Sequence, residues 1–254
     1  MKRTSKRQIV ELMQALGVRA GDTISVAAFI PSLGLVEGSI AGLTTAIQET
    51  IGPEGTLVVP TFTASFRRGE TFDVKASPSF NGALSEHVRK QPGAVRSTCG
   101  LFAQAAIGPK AAELMRRPSD SCFGVGSVFA NLFDADVKMI GLGIDWDQGY
   151  SWFMHLERLA EVPFRRDEAF TGTIRQVDAS EGPGRAVHFV RIEEIPWNRD
   201  REPVGHELVA SGIAREIVDA GCAHRLIGSK AVAEALVPRL QRDPWCMAAM
   251  RGTP

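Results

Sequence analysis

Apolar and polar residues near the amino end alternate with the spacing of an amphipathic helix. Ser5 and Gln8 match the pattern of a capping box, and Gly17 is a typical residue for the carboxyl end of a helix. The apolar positions between them are Ile9, Leu12, Met13 and Leu16. The spacing therefore predicts a first helix that buries this face.

Two short apolar runs follow, and a helical pattern lies between them. Residues 23–29 (TISVAAF) are rich in strand formers, residues 40–51 have helical spacing, and residues 56–59 (TLVV) are typical of a buried strand. This order predicts a β-α-β unit with a parallel pair of strands. The loops after such strands are the expected place for a ligand.

Helical and strand patterns continue to alternate along the chain. Helices are predicted at 82–90, 109–116, 150–161, 205–221 and 229–241. Residues 138–144 (KMIGLGI) predict another buried strand, and residues 172–192 predict a hairpin that turns at 180–184 and forms an antiparallel edge. With 254 residues, 44% of them hydrophobic, we expect one α/β domain over residues 1–254.

Charge and the length of apolar runs exclude several classes of protein. Lysine plus arginine and aspartate plus glutamate number 29 each, so no overall field would hold a nucleic-acid backbone. No apolar run approaches the roughly 20 residues that span a bilayer. The amino end also lacks the apolar stretch of a signal peptide. We therefore expect a cytoplasmic protein without a nucleic-acid or membrane partner.

The four cysteines are far apart in the sequence. They are Cys99, Cys122, Cys222 and Cys246. They lack the paired spacing of a zinc site and the density of a disulfide framework. Reduced thiols and no bound metal are the expectation.

Six segments carry a pattern that extends over nearly the whole chain. They are GTLVVPTFTASF at 55–66, FDVKASPSFNGALSEHVRKQPGAVRS at 72–97, AAIGPKAAEL at 105–114, FGVGS at 123–127, GLGIDWDQGYSWFMHLERLAEVPFR at 141–165 and GSKAVAEALVPRLQRDP at 228–244. In this order they resemble the aminoglycoside 3-N-acetyltransferase family. The resemblance implies an α/β fold with a central mixed sheet flanked by helices, and we expect an antiparallel hairpin in the C-terminal third.

The resemblance also implies a reaction. Members of the family move an acetyl group from acetyl-CoA to an amine without a covalent enzyme intermediate. A protonated amine is not a nucleophile, so such a site needs a base, and it needs donors for the thioester oxygen as charge develops there. The expected substrates are acetyl-CoA or another acyl-CoA and a small-molecule amine, with no metal.

The family's base corresponds to a histidine on the helix that follows DWDQGYSW, and His155 is the histidine nearby. With Glu157 it forms the predicted catalytic pair, and an unperturbed pKa near 6.5 suits proton removal. The family places its histidine three residues before the glutamate, a position that Met154 holds here. Residues two apart on a helix point to different faces. Two alternatives remain: His155 is a packed core histidine, or Met154 stands in the base's place.

Two other histidines of the family pattern are missing. Ala27 stands where an HxS motif is expected, and Cys99 stands where an RSxHP phrase would supply histidine. These departures fit a changed acceptor pocket, a changed acyl donor or lost activity, and the sequence leaves all three open.

The resemblance also implies a coenzyme site of small and hydrogen-bonding residues. The predicted residues are Ser32, Leu33, Gly34, Arg96, Ser97, Gly124 and Ser127. A loop after a strand would lay pantetheine along its backbone, and a guanidinium beside a hydroxyl suits phosphate. The alternatives are ordinary turns for the glycines and a structural ion pair for Arg96.

Polar groups in loops near the candidate base predict the acceptor site. They are Thr63, Asp73, Asp147 and Tyr150, with Asp145 as a further candidate. A carboxylate facing an ammonium would hold an amine, whereas a helix cap or solvated turn is the alternative for each aspartate. Because the chain has no acidic run, we expect an amino sugar or biosynthetic amine rather than an aminoglycoside.

Two rival functions are compatible with the sequence. Cys99, activated by His155 or Arg96, would be a thiol nucleophile that forms an acyl-enzyme. Alternatively, the chain is a coenzyme-A-binding or assembly protein that kept the fold and lost the base. A homodimer is the default expectation for an enzyme of this size.

Overall fold

The computed structural model describes residues 2–250, which form an alternation of helices and strands. The helices are α1 (Lys6–Leu16), α2 (Ser39–Ile51), α3 (Ala83–Arg89), α4 (Ala111–Leu114), α5 (Val128–Asp134), α6 (Phe153–Leu159), α7 (Glu202–Ala210) and α8 (Ser229–Arg242). The strands are β1 (Arg3–Thr4), β2 (Thr23–Ala28), β3 (Leu35–Val36), β4 (Thr56–Pro60), β5 (Phe72–Asp73), β6 (Val95–Arg96), β7 (Gln104–Ile107), β8 (Lys138–Leu142), β9 (Arg165–Arg175), β10 (Glu181–Arg191), β11 (Trp197–Arg199), β12 (Ala214–Asp219), β13 (Cys222–Gly228) and β14 (Ala248–Met250).

A seven-stranded mixed sheet forms the centre of the fold, in the order β12-β13-β8-β2-β4-β7-β6. The three middle strands β8, β2 and β4 are parallel, and the outer strands pair antiparallel. The predicted β-α-β unit is therefore confirmed, because β2 and β4 pair in parallel with α2 between them in the chain. The central mixed sheet that the resemblance implied is confirmed as well.

Helices cover both faces of this sheet. Leu57 and Val59 of β4 belong to one buried cluster, whereas Val58 belongs to the other, as expected when successive side chains of a strand alternate. Residues of α1 and α2 complete the first cluster, and residues of α5, α6 and α8 complete the second. The strands are apolar on both sides because each side is covered.

The amino-terminal helix forms as the spacing predicts. Ser5 and Gln8 make a reciprocal capping box, and Gly17 ends the helix at a φ of 102°, in the left-handed region that favours glycine. Ile9, Met13 and Leu16 are buried on its inner face.

The predicted hairpin also forms, with two corrections. Strands β9 and β10 pair antiparallel from Arg165↔Arg191 to Arg175↔Glu181, so the turn is at 176–180 and residues 181–184 belong to β10. Glycine and proline at 182–184 suggested a turn, but Gly184 is buried against Ile174 and Phe66, where a side chain would not fit. The hairpin joins β5 in a separate three-stranded sheet rather than forming an edge of the central one.

The helix predicted at 205–221 is wrong. Helix α7 ends at Ala210, and the chain then enters β12, which is the edge strand of the central sheet and pairs with β13. Gly212 has a φ of 77° and breaks the helical pattern before the strand begins. Helix α5, which Ser127 caps, has no counterpart in the sequence-based prediction because it is only seven residues long, too short for a clear helical pattern.

Within residues 2–250, no helix is both long enough and apolar enough to cross a membrane.

Candidate active site

A cavity of about 910 Å³ lies between the small sheet and the segments beside α6. The loop after β4 forms one wall with Phe62 and Thr63, and the start of α6 forms another with Met154. Strands β9 and β10 and residues 192–201 close the remaining side. A cavity of this size accommodates a small-molecule ligand.

Three of the predicted acceptor residues, Thr63, Asp147 and Tyr150, line this cavity. The Thr63 hydroxyl donates a hydrogen bond to the carbonyl of Gly100. The Asp147 Oδ1 accepts one from the amide of Arg201 at 2.9 Å. Tyr150 is only 2% exposed, and burial raises the pKa of its hydroxyl, so the phenol is neutral over the physiological range.

Asp73 lies away from the cavity lining. Its Oδ1 accepts hydrogen bonds from the amides of Ala76 and Lys75 at 2.7 and 2.8 Å. These bonds, the one from Ala76 foremost, lower the pKa of the carboxyl group. Asp73 thus stabilises a turn, which is the alternative that the sequence left open for it, and Asp145 likewise accepts from the amide of Gln148 at 2.8 Å.

Helix α6 presents Met154 and His155 to different surroundings. Met154 lines the cavity, whereas the His155 ring is 1% exposed and lies 4.6 Å from the ring of Phe133. Its Nδ1 accepts a hydrogen bond from the amide of Gly124 at 3.0 Å. Burial lowers the pKa of His155 to about 4, so the imidazole is neutral near pH 7. The geometry favours a packed core role for His155, and Met154 is the one of the two that reaches the cavity.

Glu157 is buried between two arginines. Its Oε1 accepts a hydrogen bond from Nη2 of Arg201 at 2.9 Å, and its Oε2 lies 2.7 Å from Nε of Arg165. Both arginines line the cavity, and burial lowers the pKa of each guanidinium. Glu157 therefore holds part of the cavity wall in place without lining the cavity itself.

The seven predicted coenzyme residues do not line this cavity. In the loop after β2, the Ser32 hydroxyl donates to the carbonyl of Phe29 at 2.7 Å, and Leu33 is buried in the core. Gly34 has a φ of 70°, and a Cβ there would lie 2.4 Å from the carbonyl oxygen of Lys2. Close packing against the amino end thus explains this glycine.

Arg96 is buried under the edge of the central sheet, and internal acceptors use its guanidinium. It donates to the carbonyl of Thr61 and the carbonyl of Ser77, both at 2.6 Å, and to the Thr61 hydroxyl at 3.1 Å. Burial lowers the pKa of Arg96 to about 10. The Ser97 hydroxyl accepts from the amide of Gln104 at 3.0 Å. These contacts favour a structural role for both residues.

Gly124 and Ser127 form the turn that begins α5. The Ser127 Oγ accepts from the amide of Ala130 at 3.2 Å and donates to the carbonyl of Gly124 at 2.6 Å. Gly124 has a φ of 78°, which favours glycine, and its amide holds His155. The turn, the helix cap and the buried histidine therefore form one packed unit.

Cys99 lies next to Cys122, which the sequence did not predict because 23 residues separate them. The two sulfur atoms are 3.5 Å apart, and the Cys99 sulfur accepts from the amide of Phe102 at 3.4 Å. The hydrogen bond with Cys122 lowers the pKa of the Cys99 thiol to about 6, although the residue is only 2% exposed. The contacts of Cys99 are thus different from the His155 or Arg96 contacts that the rival mechanism requires.

Sequence reasoning missed the most prominent charged groups of the cavity. Six arginines of residues 2–250 line it, and the signals that could have indicated them are the adjacent pair Arg165 and Arg166 and the pair Arg199 and Arg201. His188 also lines the cavity, and its buried Nδ1 has no hydrogen-bond partner. Among residues 2–250, no three His, Cys, Asp or Glu side chains are grouped as metal ligands would be.

Comparison with known sequences assigns the chain to a family. A sequence profile of aminoglycoside 3-N-acetyltransferases matches residues 26–241. Aminoglycoside N(3)-acetyltransferase VIII of Streptomyces fradiae is 30% identical over 244 residues, which cover 83% of this chain and 82% of that protein. Aminoglycoside N(3)-acetyltransferase IX of Micromonospora chalcea is 27% identical over 201 residues, or 66% of this chain and 70% of that protein.

Solved structures have the same fold. The aminoglycoside acetyltransferase AAC(3)-Xa superposes with a TM-score of 0.82 at 25% identity, covering 94% of this chain and 93% of its own. AAC-IIIb, in a binary complex with CoASH, also superposes with a TM-score of 0.82, covering all of both chains at 21% identity. The chain therefore belongs to the aminoglycoside 3-N-acetyltransferase family, and it is an N-acyltransferase that takes its acyl group from acetyl-CoA.

Proposed function

We propose that this protein transfers the acetyl group of acetyl-CoA to an amine of a small molecule that binds in the 910 Å³ cavity. The observation that carries the proposal is the convergence of Thr63, Asp147 and Tyr150 on one cavity beside Met154. These residues come from distant parts of the chain. Their convergence beside the start of α6 supports the proposal that the acceptor binds there.

The reaction needs few groups from the protein. The amine nitrogen attacks the thioester carbonyl, a C–N bond forms, the C–S bond breaks, and the coenzyme leaves as a thiol while the amine loses a proton. Asp147, which is part of the cavity wall, is positioned to accept a hydrogen bond from the amine. Thr63 and Ser151 supply further hydroxyls on the wall.

Proton removal is the step in which this chain departs from its family. His155 would have to leave the amide of Gly124 and the ring of Phe133 before it reached the cavity. We propose instead that the acceptor reacts as its neutral amine, with solvent as the proton acceptor and Met154 as an apolar contact. This is the arrangement expected where a general base is absent and positioning supplies the remaining rate enhancement.

The acceptor is proposed as an amino sugar or a related biosynthetic amine. The curated relatives carry the name of aminoglycoside acetyltransferases, and amino sugars are the chemical unit that those acceptors share. A cytoplasmic location and a homodimer remain predictions from the sequence.

Isothermal titration with acetyl-CoA, followed by thiol release with a panel of amines and amino sugars, tests the proposal. Met154→Trp should occupy the part of the cavity next to α6 and raise the KM of the amine while leaving coenzyme affinity nearly unchanged. Val177→Trp introduces the same side chain in the hairpin turn, at a residue that is 58% exposed and lies outside the lining, so it should change neither. If the KM of the amine in the thiol-release assay is the same in Met154→Trp as in the wild type, the acceptor binds elsewhere.

A further inference from the structure

The walls of the cavity carry more positive than negative charge. Three carboxylates line it, those of Asp147, Glu168 and Glu193. The guanidinium groups that line it belong to Arg67, Arg165, Arg166, Arg191, Arg199 and Arg201. The carboxylate of Glu157 lies outside the lining and pairs with both Arg165 and Arg201, so it offsets one more positive charge. Among residues 2–250, six cations therefore face four anions.

The arginines approach the cavity from several elements. Arg67 comes from the turn after β4, where its guanidinium lies 4.9 Å from the centre of the Phe170 ring. Arg199 comes from β11, and its Nη1 donates to the carbonyl of Asp147 at 3.3 Å. Arg166 is 3.9 Å from Glu168, a distance at which an exposed pair attracts only weakly. Guanidinium groups thus surround the cavity rather than forming one surface patch.

His188 is an ionisable side chain in the cavity wall, close to the positive charges of Arg67 and Arg165. The residue is 8% exposed, its ring lines the cavity, and its Nδ1 has no partner. Burial foremost, and after it the charges of Arg67 and Arg165, lower the pKa of His188 to about 3. A positive charge placed at this wall is therefore disfavoured.

We infer that the acceptor is an amine that also carries an anionic group, a phosphate or a carboxylate, and that the cavity arginines bind this group. The inference deepens the proposed function and depends on it. Guanidinium groups match the planar, multidentate geometry of these anions. A polycation would meet a repulsive wall, whereas the deep arginine pair held by Glu157 would attract an anion.

The same charges assist the amine. A bound ammonium close to guanidinium groups loses its proton more readily, because like charge disfavours the charged form. The neutral amine is the nucleophile, so the arginines offset part of the loss of a general base at Met154. One set of residues thereby anchors the anion and favours the reactive form of the amine.

Phosphates are also present in coenzyme A, so the experiment has to separate the two sources. Thiol release is measured with glucosamine, glucosamine 6-phosphate and sisomicin as acceptors, each with acetyl-CoA and with acetyl-pantetheine, which lacks the nucleotide phosphates. The wild-type protein should prefer the phosphorylated amino sugar by about tenfold or more in kcat/KM over glucosamine, the size of one or two charge-assisted contacts.

Arg67→Gln is the test variant and Arg68→Gln its matched control. Arg68 is the next residue, pairs with Glu70 at 2.6 Å and lies outside the lining. Arg67→Gln should raise the KM of glucosamine 6-phosphate about tenfold more than that of glucosamine, with either acyl donor, because only the phosphorylated sugar loses an anion contact. Arg68→Gln should change neither value.

Three results would overturn the inference. A preference for sisomicin contradicts it, and so does equal use of the two amino sugars. An Arg67→Gln effect that appears with acetyl-CoA and vanishes with acetyl-pantetheine assigns the arginine to the coenzyme. If no amine is acetylated, the proposed function fails, and titration with glucosamine 6-phosphate then tests the anion site separately. Binding that Arg67→Gln weakens supports the anion site. Absence of binding contradicts the anion site as well.

Discussion

Met154 and His155 are neighbours on α6, yet Met154 lines the cavity and His155 accepts a hydrogen bond from Gly124 within the core. Successive residues of a helix are about 100° apart, so one of them faces the ligand and the other the packed interior. The family's spacing to Glu157 is kept by Met154 and not by His155. Under the proposed function, Met154 is therefore the side chain of the two that meets the acceptor.

His155→Ala should lower the stability of the fold far more than the turnover of the folded enzyme. The substitution leaves the Gly124 amide without its acceptor and opens space beside Phe133, at a cost of about 2 kcal/mol or more. Urea unfolding gives the stability, and kcat per folded molecule should stay within about threefold. His206→Ala, at an exposed position, is the control. A hundredfold loss of kcat without a change in stability would instead support the catalytic role of His155.

Stability should fall in mild acid because His155 is buried as the neutral imidazole. An unfolded histidine has a pKa near 6.5, and burial lowers that of His155 to about 4, so the unfolded chain binds more protons between these values. The stabilisation is present above about pH 6.5 and is lost as the pH falls toward 4. The loss is on the order of 3 kcal/mol for this group.

Urea unfolding at several pH values measures that loss. His155→Gln should reduce the slope between pH 6.5 and 4 without abolishing it, because the pKa of His188 is lowered as well. His188→Gln should likewise remove its own part of the slope and keep the part due to His155. An unchanged slope in His155→Gln would show that another group is responsible.

Met154→His should increase turnover. It restores a histidine three residues before Glu157 at a position that lines the cavity, and a positioned general base contributes roughly a hundredfold or more. We expect kcat with acetyl-CoA and an amine to rise at least about tenfold. The surrounding arginines keep the new imidazole in its neutral, proton-accepting form, but they also weaken it as a base, so the gain is smaller than a hundredfold. Met154→Leu, which keeps an apolar side chain, should leave kcat nearly unchanged. A folded Met154→His protein with no gain would contradict the assignment of Met154 to the base's place.

Cys99 should react slowly with an alkylating agent in the folded protein despite its lowered pKa. The residue is 2% exposed and its sulfur is in contact with Cys122, so the reagent cannot reach it. Peptide mapping by mass spectrometry should find Cys222 and Cys246, which are partly exposed, modified first. Modification of Cys99 should follow only after addition of urea, and rapid labelling in buffer would revive the thiol-nucleophile mechanism.

The sequence predicted the layered part of the fold well. Runs such as residues 56–59 are apolar throughout because helices cover both sides of the sheet, and the capping box at Ser5 and Gln8 is a local signal. The strand β12 was missed because its edge position, rather than its local composition, makes it a strand. A local sequence pattern does not determine which other strand a segment pairs with.

The candidate site was predictable only in part. Thr63, Asp147 and Tyr150 follow strands or precede α6, so their place at one cavity follows from topology. The orientation of His155 and the internal contacts of Arg96 depend on how turns and helices pack, which motif spacing does not determine. The arginine wall was missed because its members come from segments that meet only in the folded chain.

The most direct test of the central claim follows the acetyl group itself. Acetyl-CoA labelled in the acetyl carbons is incubated with the protein and glucosamine 6-phosphate, and the products are identified by mass spectrometry. The account predicts label in an amide on the amino sugar nitrogen, formed in equal amount with free coenzyme A thiol. Label that remains on the coenzyme, or that appears only as free acetate, would contradict it.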